Sequence, residues 1–332
     1  MTNVFVVYTP YHLYIVNKII NIDQENHLII IDNKSDLVKS RILNKEIFEG
    51  ITIIQDISKV KDRYLKSFIS MKTNVNKLVE SFEKVDNLYV FLDNNLIGQI
   101  LINKFKYKHK VRAILLEDGT GLYIKCKFKL KDMLKKYIYK LFIINEYDLI
   151  NQGENKNLDC IYCNFPNMKD TNIEIKKISD LYARDFKIDD FKYEADMLIL
   201  TQPLSEDRII SKNEEIEFYK DIFNKYNNKK IYLKLHPRES MSKYKFISNY
   251  KNINLLEEFN LPVEAIIENI NCDVVMSVST SGILNIENKI KIYSYPLLNL
   301  DYKFDKLLRQ FQDNETLFII KSLSELDKII EN

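Results

Sequence analysis

The stretch Ile231-Tyr-Leu-Lys-Leu-His-Pro-Arg-Glu239 decides how the rest of the chain is read. Alternating Ile231, Leu233 and Leu235 make a short strand with a buried face. Pro237 has no N–H to give a ladder, so the strand ends before it and His236 falls at its carboxyl end. In open α/β sheets the ligand crevice lies beyond those ends, and a histidine there is placed to handle a proton near neutral pH. A histidine that only caps a turn fits the same dipeptide, so the surroundings must decide.

On either side of this strand, the second half repeats the pattern. Met197 to Leu200, Ile253 to Leu256, Asp273 to Met276 and Lys291 to Tyr295 read as strands, and Glu214 to Lys225 and Val263 to Asn269 as helices. The first half does the same with strands at Val4 to Tyr8, Leu28 to Ile31, Ile51 to Ile54, Leu88 to Leu92 and Arg112 to Leu116. Thr9 suits a helix cap and Pro10 the first helical position, and Val60 to Glu83 and Asn95 to Phe105 read as helices. Strands alternating with helices predict mostly parallel sheets covered on both faces. The polar run Asn151 to Glu194, with one strand at Asp159 to Cys163, is the expected crossing between two α/β domains. The predicted bounds are 1–190 and 191–315, with 316–332 a closing helix, Leu323 to Ile330, placed to pack across the boundary.

Composition narrows the function classes. The 332 residues are enough for two cored domains, and 46% apolar with 29% charged describes an ordinary globular chain. A net charge of +2 gives no nucleic-acid signal. No basic leader opens the chain and no apolar window reaches about 18 residues, so the expected location is cytoplasmic. Of Cys126, Cys160, Cys163 and Cys272, only the Cys160-Ile-Tyr-Cys163 pair has metal-like spacing, and His12, His27, His109 and His236 do not complete a site. The cysteines are expected to be reduced and no metal is expected.

The chain has only six glycines and six prolines, and they cluster after strands: Pro10, Gly119 and Gly121, Pro203, Pro237, Pro262 and Gly282. Parallel sheets would put these loops at carboxyl edges, and two facing domains would bring both sets to one cleft. Three of the loops carry chemistry. Leu115-Leu-Glu-Asp-Gly-Thr-Gly121 sets Glu117 and Asp118 at a strand end, where Asp118 could serve as a general base and Gly119 makes room for a ligand; an exposed acidic turn reads the same way. Met276-Ser-Val-Ser-Thr-Ser-Gly282 runs from a strand into a helix-like stretch, Ile283 to Asn288, and suits either an anion site or a serine-rich cap. Leu261-Pro-Val-Glu264 puts an acid on a helix's first turn, to take ribose hydroxyls or to complement the dipole. Thr9, Tyr11, His12, Asp93 and Asn94 lie at other first-domain strand ends.

In order, Thr-Pro after the first strand, Glu-Asp-Gly, Thr201-Gln202-Pro203, His236-Pro237, Leu-Pro-x-Glu264 and Ser279-Thr280-Ser281 resemble the bacterial sialyltransferases, most closely the lipooligosaccharide and capsule enzymes of glycosyltransferase family 52. The resemblance runs from Val4 to Tyr295. It implies a GT-B fold, two Rossmann-like domains facing a central cleft, that transfers sialic acid from CMP-sialic acid with inversion and without metal or other cofactor. Asp118 would be the base and His236 would donate to the departing phosphate. Pro237, Gln202, Gly119, Glu264 and the hydroxyl loop Ser279, Thr280, Ser281 and Gly282 would hold the donor. Thr9, Tyr11, His12, Glu117 and Asn94 would be donor or acceptor contacts. The family ends its motif in Ser-Ser where this chain has Ser279-Thr280-Ser281, which leaves the phosphate hydroxyls unassigned. The implied acceptor is a terminal galactose of a surface glycan, joined α-2,3.

The alternatives are an α-2,8 polysialyltransferase, a hexosyltransferase of the same family using a UDP-sugar, and a non-catalytic nucleotide-sugar or glycan-binding module. A lipid-linked acceptor would bring the enzyme to a membrane, and Lys125 to Lys140, with seven lysines among apolar residues, suits that contact as well as it suits a solvated helix face. Oligomeric state stays open, a homodimer included.

Overall fold

A computed structural model describes residues 1–31, 37–55, 64–186, 188, 191–257, 260–300 and 316–330, without the side chains of 64–69 and 142. The chain divides into two compact units, Met1–Phe186 and Lys187–Asn332.

The first unit carries β1 (Thr2–Val7), α1 (Pro10–Ile19), β2 (Glu25–Ile31), β3 (Gly50–Ile54), α2 (Tyr64–Ser81), β4 (Asn87–Val90), α3 (Leu96–His109), β5 (Arg112–Leu116), α4 (Leu130–Phe142), β6 (Cys160–Cys163) and β7 (Glu174–Lys177). Its sheet has the order β3-β2-β1-β4-β5-β6-β7, and every pair is parallel. All six residues of β1 are buried, as a parallel strand covered on both faces requires. Val75 and Val79 of α2 and Leu101 and Phe105 of α3 share one core with Val4, Val6, Leu88 and Leu115 of the sheet. The start of α3 presses on the chain behind it: Asn95 caps it by accepting from Gly98 N at 2.6 Å. A Cβ on Gly98 would lie 1.8 Å from the Leu92 carbonyl oxygen, so only glycine fits there. Residues 60–63 of the expected long helix lie outside the described residues.

The second unit carries β8 (Tyr193–Glu194), β9 (Met197–Leu200), α5 (Lys212–Lys225), β10 (Ile231–Lys234), β11 (Ile253–Leu255), α6 (Val263–Ile266), β12 (Ile270–Asn271), β13 (Val274–Ser277), β14 (Ile290–Tyr293), β15 (Leu317–Ile319) and α7 (Leu323–Ile330). The main sheet is again parallel, in the order β11-β10-β9-β13-β14-β15, and β8 pairs with β12 apart from it. The terminal segment supplies a strand and a helix to this unit. Asp327 of α7 bonds Tyr226 Oη at 2.8 Å and Lys225 Nζ at 2.6 Å, at the end of α5.

Two expected helices are corrected. Val263 to Asn269 is one α turn followed by a 3-10 turn at Ile267–Asn269, and Ile283 to Asn288 is replaced by a 3-10 turn at Ser281–Asn285. Neither run has the length to stabilise an α-helix of its own. Strands β7, β8, β12 and β15, which the sequence did not announce, are two to four residues long. Cys160 and Cys163 are buried on β6 and Cys272 is buried beside β13, all as free thiols. Among the described residues no helix is long and apolar enough to cross a membrane.

Candidate active site

In each sheet the strand order reverses at one point, between β1 and β4 in the first unit and between β9 and β13 in the second. Crevices for ligands open at such points, past the carboxyl ends of the strands. The candidate residues follow the strands at these points and the strands next to them.

In the first unit, Thr9 caps α1 by accepting from His12 N at 3.3 Å, and the first turn of the helix turns His12 back over the sheet. His12 is fully buried, with its ring stacked on Phe91 at 3.9 Å between centroids and 3° between planes. Its Nδ1 accepts the backbone N–H of Tyr8 at 3.0 Å. The proton of a neutral ring then sits on Nε2, which bonds Asp118 Oδ1. Asp118 follows β5, so the ends of three neighbouring strands build this dyad. Its side chain is 29% exposed, which leaves it reachable from outside. Gly119 next to it has φ 108° and ψ −156°, a conformation open to glycine almost alone. Tyr11 is partly exposed and meets the His12 ring edge-on at 6.3 Å.

Glu117 is turned inward. It is buried and accepts from Tyr123 Oη at 2.6 Å and from Asn164 N at 2.5 Å and Nδ2 at 3.3 Å. Burial pushes its carboxyl above the ordinary range against the pull of those donors. Asp93 is likewise buried and pins a loop by accepting from Gly153 N at 2.9 Å and Asn155 N at 3.1 Å. Asn94 is partly exposed, and its carbonyl oxygen accepts from Gln99 Nε2 at 3.5 Å.

In the second unit, His236 follows β10. The N–H of Arg238 donates to its Nδ1 at 3.1 Å, so the neutral ring again carries its proton on Nε2. Burial, with Arg238 second, lowers its pKa. Pro237 and Arg238 are exposed, and Arg238 makes a two-pronged pair with Asp207 at 2.6 and 2.9 Å.

The turn that carries His236 hangs on Glu239. This buried carboxylate accepts from His236 N at 2.8 Å, from Tyr244 Oη at 2.6 Å and from Thr201 Oγ1. Behind it the buried Lys243 ammonium bonds Glu239 at 2.7 Å, Glu215 at 2.8 Å and Glu206 at 3.0 Å. Burial opposes the charge on Lys243, but Glu215 and Glu239 override it and hold the ammonium above the ordinary lysine range. The three carboxylates lie close enough to hold a metal ion, and Lys243 already stands among them as the cation.

Thr201 leads on to Gln202, whose Oε1 accepts from Ser279 N at 2.6 Å and Oγ at 3.1 Å. Ser277 Oγ accepts from Thr280 N at 3.0 Å. Two amides that the sequence counted as open to an anion are therefore bonded inside the loop, and a 3-10 turn with a weaker dipole replaces the expected helix start. Ser281 and Gly282 begin that turn, and Glu264 lies against it, accepting from Asn285 Nδ2 at 3.2 Å. Lys234, at the end of β10, is buried. Burial pushes its pKa down to about 8, although Glu264 and Glu239 favour its charge.

Among the predicted residues, the structure thus brings together Thr9, Tyr11, His12, Asp118 and Gly119 in the first unit. In the second it links His236 through Thr201 to Gln202 and Ser279, and sets Glu264 beside the turn that Ser281 opens. Sequence reasoning missed Phe91, Lys234, Glu239, Glu215 and Lys243. Glu239 and Lys243 lie within seven residues of His236, close enough for its neighbourhood to have drawn attention to them.

Comparison with known proteins follows the same lines. The family model for alpha-2,8-polysialyltransferase (POLYST) matches residues 3–295. An uncharacterized protein of Haemophilus influenzae is 28% identical over 258 residues, covering 71% of this chain and 76% of its own. Among solved structures, the GT-B domain of a sialyltransferase from Photobacterium damselae is similar with a TM-score of 0.51 at 10% identity, covering 96% of this chain and 100% of that one. UDP-GlcNAc 2-epimerase from Neisseria meningitidis, bound to UDP-GlcNAc, is similar with a TM-score of 0.54 at 12% identity, covering 88% of this chain and 82% of that one. The fold is α/β of the GT-B type.

Proposed function

Because this chain belongs to the alpha-2,8-polysialyltransferase family, we propose that it is an inverting sialyltransferase that uses CMP-sialic acid and no metal ion. Asp118 takes the proton from the acceptor hydroxyl as that oxygen bonds the anomeric carbon of the sugar. The bond from that carbon to the CMP phosphate breaks, and CMP leaves from the opposite face. His12 holds one carboxylate oxygen of Asp118 through Nε2–H, leaving the other for the acceptor. His236 donates its Nε2–H to the departing phosphate oxygen.

The anomeric carbon of sialic acid is tertiary and carries a carboxylate, so bond breaking runs ahead of attack in an oxocarbenium-like transition state. Stabilising the leaving group then matters most. A monophosphate needs one well-aimed donor and a few further hydrogen bonds, which a histidine can supply without a divalent cation. The observation that supports this reading most is the orientation of the two histidines. In each ring Nδ1 accepts from a backbone N–H, at 3.0 Å in His12 and 3.1 Å in His236, which leaves the proton of the neutral ring on Nε2, in His12 the atom that bonds Asp118. Thr280, Ser281 and Gly282 hold the phosphate on a loop braced by the Gln202–Ser279 bonds, Glu264 holds the ribose, and Pro237 and Gly119 border the donor. Tyr11, Thr9 and Asn94 border the acceptor.

The acceptor is a bacterial surface glycan, and the reaction takes place in the cytoplasm. Terminal galactose, joined α-2,3, is one reading. The family description favours a second, α-2,8 extension of an existing sialic acid. CMP-sialic acid offered with lactose, with a sialylated oligosaccharide and with water alone tests both. The proposal expects transfer to one of the sugars, or slow donor hydrolysis, in the presence of EDTA. Turnover of a UDP-sugar instead, or CMP binding without any turnover, would overturn it.

A further inference from the structure

We propose that α4, with the residues just before it, is a docking element that lays its outer face into the headgroup region of an anionic lipid bilayer. Thirteen large apolar side chains stand exposed among the described residues, and seven of them fall between Phe128 and Leu141. Single exposed apolar residues are ordinary, but a cluster of this kind on one element is not. Leu130 is 90% exposed, Leu134 64%, Tyr137 65% and Leu141 75%, a spacing that lines one face of a helix. Met133 and Ile138 flank this row, each also exposed.

The opposite face anchors the helix to its unit. Tyr139 and Ile143 are buried, the Tyr139 ring meets that of Tyr147 at 5.0 Å, and Lys136 pairs with Asp148. The outer apolar row is therefore a surface presented by a docked helix.

Charge identifies what covers it. Lys125, Lys127, Lys129, Lys131, Lys135 and Lys140 flank the row, against Asp132 alone. The whole chain carries only +2, so the rest is net negative and the positive charge is concentrated here. A second copy of the chain would bring the same lysines and be repelled. An anionic bilayer complements both features, taking the apolar row among its acyl chains and the lysines at its phosphates. Thirteen residues at about 1.5 Å each make a helix of roughly 20 Å, too short to span a bilayer core of about 30 Å and suited to lying along it.

Co-sedimentation of the full chain with vesicles tests this without donor or acceptor, so its failure is separate from any failure of the sialyl-transfer reading. Binding to phosphatidylcholine vesicles containing phosphatidylglycerol should exceed binding to pure phosphatidylcholine at least about tenfold and weaken with salt. Lys131→Glu with Lys135→Glu should lower affinity by about fivefold or more per lysine. Leu134→Ser with Leu141→Ser should abolish it, with melting and transfer to a soluble acceptor unchanged. Equal binding to both vesicles, no binding to either, or variants that bind like the parent would overturn the proposal. So would light scattering that shows a dimer lost in Leu134→Ser.

Discussion

Replacing Lys243 with methionine keeps the length of the side chain and removes the cation that holds the His236 turn in place. Glu239 and Glu215, both fully buried, would lose partners at 2.7 and 2.8 Å, and the part-exposed Glu206 one at 3.0 Å. Removing one partner of a buried pair costs about 3–5 kcal/mol, because the remaining charge is left without compensation. Out of a typical domain stability of about 5–15 kcal/mol, that loss lowers a urea midpoint by about 2 M. Adding Glu215→Gln should restore part of the loss, and urea unfolding at pH 7.5 reads both effects. In donor turnover kcat should fall more than KM rises, since Glu239 would then hold His236 less firmly. A deficit below about 1 kcal/mol, the value of an exposed pair, would refute the reasoning.

Gly119→Ala should cost about 1–3 kcal/mol by thermal melting, because φ 108° is strained for any side chain. It should also depress turnover by moving Asp118, and an alanine variant as stable as the parent would contradict this. Lys234→Met should be more stable than the parent at pH 7 by up to about 3 kcal/mol, from a shift of the lysine from 10.5 to about 8. A lysine lowered on folding is costly while charged and the cost fades between pH 8 and 10.5, so the gap should close toward pH 10, and a constant gap contradicts the assignment. His12→Ala should lower kcat about tenfold or more by removing the donor to Asp118. CMP affinity measured by calorimetry should not change.

The alternation of apolar strands with helices made the parallel α/β architecture legible, because buried parallel strands such as β1 and β13 are nearly continuous apolar runs. The edge strand β7 was not legible, since Glu174-Ile-Lys-Lys177 is exposed or half-exposed and has no buried face to impose a pattern. Strand β15 is three residues long and gains its ladder only from β14. His236 and Asp118 stood out because proline and glycine mark where their strands end.

The His12–Asp118 pair joins residues 106 apart, and no local spacing announces it. Only the strand order, with β4 between β1 and β5, brings them together. Lys234 falls at a position that alternation assigns to the face opposite Leu233 and Leu235. In a sheet covered on both sides that face is buried too. The pairing of Ser279 and Thr280 amides inside their own loop depended on where Gln202 and Ser277 point, which is a tertiary fact.

The central claim is that Asp118 and His236 act in one transfer reaction, and the most direct measurement is donor turnover by Asp118→Ala, His236→Ala and the double variant, scored for transfer and hydrolysis. Each single change should cost about 100- to 10,000-fold with melting unchanged, and the double should fall little below the worse single. Either single variant transferring sialic acid near the parent rate would contradict the account.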